Sequence, residues 1–204
     1  MVSYLTEGEK EISKEFLDNG FIIKKVADKN LLDKIQSKVV EMSLTSNIVG
    51  NFFDKTDWLN NIHKSLSVES LNEYRLGVIK KINNDITFKK LYFEISKPYL
   101  ETLVGNELAM QKRINLSIQL PDDNSSLLPV HADTWAGDSP FEIVVWLPLV
   151  NCFGTKTMYI LPQDKIHKLH HYFKHNAGNS AEDLFESIKN DIKWLDIKYG
   201  EVLL

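Results

Sequence analysis

At 204 residues, 43% hydrophobic and 25% charged, the chain is long enough to bury a substantial core and too apolar for disorder. Its net charge of −4, with lysines scattered among acidic residues, argues against a nucleic-acid or anionic-membrane surface. The single Cys152 excludes an internal disulfide and suits a reducing compartment, no charged-then-apolar leader follows Met1, and no apolar run nears the roughly 18 residues of a membrane span, so one cytoplasmic domain is expected over 1–204.

Residues 1–107 read as mainly helical. Thr6 and Glu9 have capping-box spacing, Ile12 and Phe16 follow at helical intervals, and Asn19-Gly20 supplies a stop. Phe21-Ile-Ile23 reads as a short strand. A second helix is expected from Asp28, with Leu31, Ile35, Val39 and Met42 on one face. Ser43 to Ser67 has weak periodicity and many polar residues and reads as a mobile loop near a site. Two more helices carry Leu71, Tyr74, Val78 and Ile82, then Phe88, Tyr92 and Ile95 after Asp85, with Pro98 kinking or restarting the second. The Lys80-Lys81 and Lys89-Lys90 pairs read as solvated faces, and Gly105-Asn106 as a turn.

From Leu108 the pattern changes to strands, expected at 108–120, about 127–133, 141–149 and 156–161, with a hairpin connection at Asn151-Cys-Phe-Gly154. Ile114, Leu116, Ile118 and Leu120 alternate with Arg113, Asn115, Ser117 and Gln119. The polar row is either a cavity lining or the wet side of a half-exposed sheet, and residue pattern alone favours the wet side. Phe141 to Leu147 is nearly all apolar, as for a strand buried on both faces. Cys152 reads as a small buried residue at a turn. His167, His171 and His175 fall on one helical face, but no acidic or thiol ligand joins them, and a solvated face is the expectation. Ser180 and Asp183 repeat the capping-box spacing, and a last strand is expected from Tyr199 to Leu204. There is no phosphate-binding glycine loop and no Gly-x-Ser-x-Gly elbow.

The chemistry-bearing pair is His131-Ala132-Asp133. On an extended strand residues i and i+2 share a side, so an imidazole and a carboxylate can meet one cation, two of the three protein contacts in a two-histidine, one-carboxylate iron site. His-x-Asp alone also occurs by chance in solvated loops; the flanking strand patterns strengthen the metal reading. Trp135 is placed equally well to stack on a sugar ring or to pack at a rim.

The runs Arg113–Pro121, Leu127–Trp135, Phe141–Leu149 and Gly154–Pro162, with Phe16–Ile23, resemble the Fe(II)/2-oxoglutarate dioxygenases of the phytanoyl-CoA dioxygenase-like superfamily. Within it they are most similar to a bacterial group found in surface-carbohydrate biosynthesis clusters. The resemblance implies an α+β fold, a double-stranded β-helix (jelly roll, cupin-like) core over 108–204 preceded by N-terminal helices. It implies Fe(II) on His131 and Asp133, 2-oxoglutarate near Asn115 and Trp146, and a small polar, carbohydrate-like substrate near Gln111, Arg113, Gln119 and Trp135. The third ligand of such enzymes, a histidine beyond a Gly-acidic-apolar strand, lies past Gly200-Glu-Val-Leu-Leu204, so the set is incomplete here and a truncated sequence is expected. The competing expectations are a jelly-roll carbohydrate-binding protein without turnover and an inactive fragment.

Overall fold

The computed structural model describes residues 4–44, 54–123, 128–175 and 180–204. Their elements run α1 (Glu7–Asn19), β1 (Ile23–Lys25), α2 (Lys29–Ser43), α3 (Lys55–Asn61), α4 (Val68–Asn84), α5 (Ile86–Val104), β2 (Tyr159–Ile160), α6 (His167–His175), α7 (Ala181–Ile188), β3 (Lys193–Trp194) and β4 (Glu201–Leu203). The fold is α+β: seven helices and small antiparallel sheets among the described residues.

Local chemistry starts the helices. At α1 the Thr6 hydroxyl accepts from the Glu9 amide while the Glu9 carboxylate accepts from the Thr6 amide at 2.7 Å, which satisfies two donors the helix itself leaves free. Asp28 caps α2, Asp85 takes the Thr87 and Phe88 amides at the start of α5, and Ser180 with Asp183 repeats the reciprocal box at α7. The helical layer closes over Leu32, Ile35 and Val39 of α2, Val78 and Ile82 of α4, and Phe88 and Ile95 of α5, with Ile114 against them. Each such side chain contributes about 1.5–3 kcal/mol on leaving water. Pro98 sits inside an α5 that continues through it, neither broken nor restarted there.

β4 is the hub of the strand pairing. β1 lies on one side of it, Ile23 opposite Leu203 and Lys25 opposite Glu201. On the other side Trp146 and Leu203 exchange both backbone hydrogen bonds, as do Cys152 and Ile197. These are two isolated bridges, and between them the second segment turns, the Glu201 amide donating to the Lys198 carbonyl at 3.0 Å. Beyond the Cys152 bridge, Tyr159 pairs with Trp194, which leaves surplus residues on the first segment; they fold into a 3-10 turn at Gly154–Lys156. α6 and α7 are therefore inserted between two chains that pair on both sides of the insertion.

Several strand expectations need correction. The first strand is Ile23–Lys25, two residues later than Phe21–Ile23, because Ile23 is the residue that meets Leu203. Among the described residues the 108–120 run has no ladder, and its one backbone anchor is a side chain, Asn83 of α4, whose amide binds both the N–H and C=O of Ile114 at 2.8 Å. No strand forms over 128–133, and a 3-10 turn takes Asp133–Ala136 instead, closed by Gly137 in the left-handed region at φ +97°. In 141–149 only Trp146 pairs, and the run is not buried on both faces, for Phe141 is 87% and Val144 51% exposed. Asn151–Gly154 is no hairpin turn, since Cys152 pairs with distant Ile197. The expected loop from Ser43 to Ser67 holds α3, with Trp58 buried against Val40 and Ile62; residues 45–53 lie outside the described part.

Candidate functional site

His131 and Asp133 lie on an exposed loop seated on the α6–α7 hairpin. Val130 packs with Tyr172, Leu184 and Ile188, which pins the loop from one side. Ala132 between the two residues is extended, at φ −129° and ψ 138°, and this single β step turns both neighbours to one side although no strand contains them. His131 Nε2 stands 3.7 Å from Asp133 Oδ1.

The other ring nitrogen decides what that distance means. His131 Nδ1 is 2.7 Å from the Pro129 carbonyl oxygen, and a carbonyl can only accept, so Nδ1 carries a proton. In the neutral ring Nε2 is then a bare lone pair facing a carboxylate oxygen, two donors converging with no proton between them. Two ligands at right angles on bonds of about 2.1 Å stand about 3 Å apart, and rotation of either half-exposed side chain closes the difference. Protonation of Nε2 gives an ion pair instead, so cation and proton compete for the same atom. The donor set fits a divalent cation at two positions; among the described residues no third His, Cys, Asp or Glu joins them.

The pair is supported by backbone groups, and among the described residues neither the Thr134 nor the Asp138 side chain hydrogen-bonds to it. The Asp138 amide donates to the Asp133 carbonyl at 3.3 Å, and the Pro129 carbonyl orients the imidazole. Trp135 meets Phe173 of α6 edge to face, ring centres 5.1 Å apart at 89°, with both rings nearly half exposed. No sequence motif marks Phe173. Its signal is an aromatic beside Leu169 and Tyr172 on the apolar stripe of α6 that no local residue covers.

Among the described residues no hydrogen bond, ion pair or ring contact joins the remaining expected site residues to the pair. Gln111, Arg113 and Asn115 are exposed, and Arg113 lines an open recess of about 320 Å³ against α4 with Leu76, Ile79, Lys80 and Asn83. Gln119 is half-buried, and its Oε1 is buried without a hydrogen-bond partner. Trp146 is half-buried against Leu195, Ile197 and Leu203, with its backbone in the bridge to β4. On α6, His167 and His171 are exposed, and His167 Nδ1 lies 2.9 Å from the Asp164 carbonyl. Burial pushes the Cys152 thiol up against a smaller opposing pull from Lys156, which leaves less thiolate than an ordinary cysteine has.

Compared with protein-family models, curated proteins and solved structures, the chain matches none.

Proposed function

We propose that His131 and Asp133 are two protein ligands of an Fe(II) ion in a 2-oxoglutarate-dependent oxygenase acting on a small polar, carbohydrate-like substrate. The observation that carries the reading is the convergence of Nε2 and Oδ1 at 3.7 Å with the proton of the ring parked on Nδ1 by Pro129. When bound, Fe(II) with 2-oxoglutarate supplies the redox chemistry that oxidises a C–H bond. The chain's own share is to present Nε2 deprotonated, to hold the carboxylate beside it, and to keep the loop rigid through Val130. Trp135, braced by Phe173, offers an apolar wall on which a ring-shaped substrate orients. In this reading a jelly-roll core is built around β4, with Asn115 and Trp146 as co-substrate contacts and Gln111, Arg113 and Gln119 on the substrate side.

The test is anaerobic Fe(II) titration with 2-oxoglutarate, following the weak visible charge-transfer band, beside Mn²⁺ binding by electron paramagnetic resonance. His131→Ala and Asp133→Ala each weaken Mn²⁺ binding at least tenfold. Equal binding by wild type and both variants removes the reading.

A carbohydrate-binding protein without turnover is the second reading, favoured by the half-exposed Trp135–Phe173 pair. Succinate release separates the two. Glycan binding that quenches Trp135 fluorescence, with no succinate formed, establishes the second.

A further inference from the structure

We propose that the outer edge of residues 113–119 is a self-association edge, on which a second copy of this chain adds an antiparallel strand with Leu116 on the two-fold axis. The inference is independent of the metal reading. From Arg113 to Leu120 the chain runs without bend or turn, and burial alternates: Ile114 and Leu120 buried, Arg113, Asn115 and Ser117 exposed. In an extended chain the N–H and C=O of one residue point to the same edge, and those of the next residue to the opposite edge. Asn83 takes both groups of Ile114, so the even residues aim their backbones at α4 and the odd residues aim theirs away from it. Among the described residues no hydrogen bond reaches the backbone of Arg113, Asn115, Ser117 or Gln119. Such a row is a template for another strand.

Two observations select a second copy in one register. Folding the sequence on Leu116 sets Asn115 opposite Ser117, Arg113 opposite Gln119 and Ile114 opposite Ile118, with no like charges facing. The same register sets Arg113 of the second copy, which carries only donors, across from the half-buried Gln119 side chain, whose Oε1 has no hydrogen-bond partner among the described residues; that oxygen is covered in the single chain, so the contact requires the Gln119 amide to turn outward. Because the odd residues make the hydrogen-bonded pairs, both copies keep their apolar even rows on the same side of the joined sheet, each over its own core.

The experiment is register-specific cross-linking in a Cys152→Ala background, beside sedimentation equilibrium of the full chain. Directly opposed residues have Cα atoms about 5.5 Å apart, within disulfide reach, whereas Asn115 and its own copy are about 9 Å apart and out of reach. Mixed Asn115→Cys and Ser117→Cys proteins therefore give a cross-linked heterodimer under mild oxidation, and neither alone gives a dimer. Ser117→Pro removes an outward N–H and weakens the sedimentation dimer at least tenfold, and Arg113→Ala weakens it several-fold with folding intact by circular dichroism. A chain that stays monomeric up to about 100 μM, dimers that do not cross-link in the mixture, or cross-linking without preference for the mixture overturns the proposal.

Discussion

Asn83 is the residue on which the placement of the 113–120 segment rests most directly. Its side-chain amide stands in for a neighbouring strand, giving Nδ2–H to the Ile114 carbonyl and taking the Ile114 N–H on Oδ1, each at 2.8 Å. Ile114 is only 5% exposed, so water does not readily replace either contact. Replacing Asn83 with Leu leaves a buried donor and a buried acceptor unpaired, at a cost of about 1–3 kcal/mol each before relaxation, hence about 2–4 kcal/mol together. In urea, with a slope of about 2 kcal/mol/M, the unfolding midpoint falls by about 1–2 M. Asn83→Asp is the sharper probe. It keeps an acceptor for the Ile114 N–H but turns a second acceptor onto the Ile114 carbonyl, so a near-isosteric change is as damaging as Leu at neutral pH. Asn84→Leu, at the exposed next position, changes stability by less than about 0.5 kcal/mol. If Asn83→Leu and Asn84→Leu give equal midpoints, the extended segment is not anchored by α4, and the assignment of its two edges fails with it.

Two further perturbations test the local chemistry that shapes the helical layer. Gly20 ends α1 at φ +79°, and a Cβ there comes within 2.8 Å of Gln163 Nε2; Gly20→Ala costs about 1–2 kcal/mol from the left-handed backbone, and a neutral or stabilising result refutes the strain argument. Asp85 is held below the usual aspartate range first by its hydrogen bond to Lys38 and then by the Phe88 and Thr87 amides, against opposition from burial. A depressed folded-state value means its contribution is present above the unfolded value near 4 and is lost as pH falls through the folded one. Asp85→Asn keeps the cap and deletes the ion pair, so its stability falls less steeply than the wild type's as pH drops below about 4. Parallel acid limbs from urea melts in that range refute the linkage.

What sequence made legible, and what it did not, divides along the range of the interactions. Thr6 with Glu9, Asp28, Asp85, and Ser180 with Asp183 act within one helical turn, and each marks a helix start that the structure reproduces. Strand formation needs a partner at a distance, and alternation at 108–120 indicates which residues face inward without saying what pairs with them. Trp146 and Cys152 meet Leu203 and Ile197 across an inserted helical hairpin, a register that no local pattern encodes. At the candidate site the spacing of His131 and Asp133 is a sequence fact, and their approach depends on one extended residue, Ala132. The turn that follows is set by Gly137, whose positive φ closes the 3-10 segment and puts Trp135 over Phe173 where a straight strand carries it past. A single glycine thus decides whether the tryptophan next to the donor pair is a wall of the site or a residue on a strand. Gly137→Val, strained at φ +97°, separates these cases: the wall reading requires Trp135 emission to shift toward that of exposed indole, together with loss of ligand-induced quenching, while Mn²⁺ binding at His131 and Asp133 changes less than threefold.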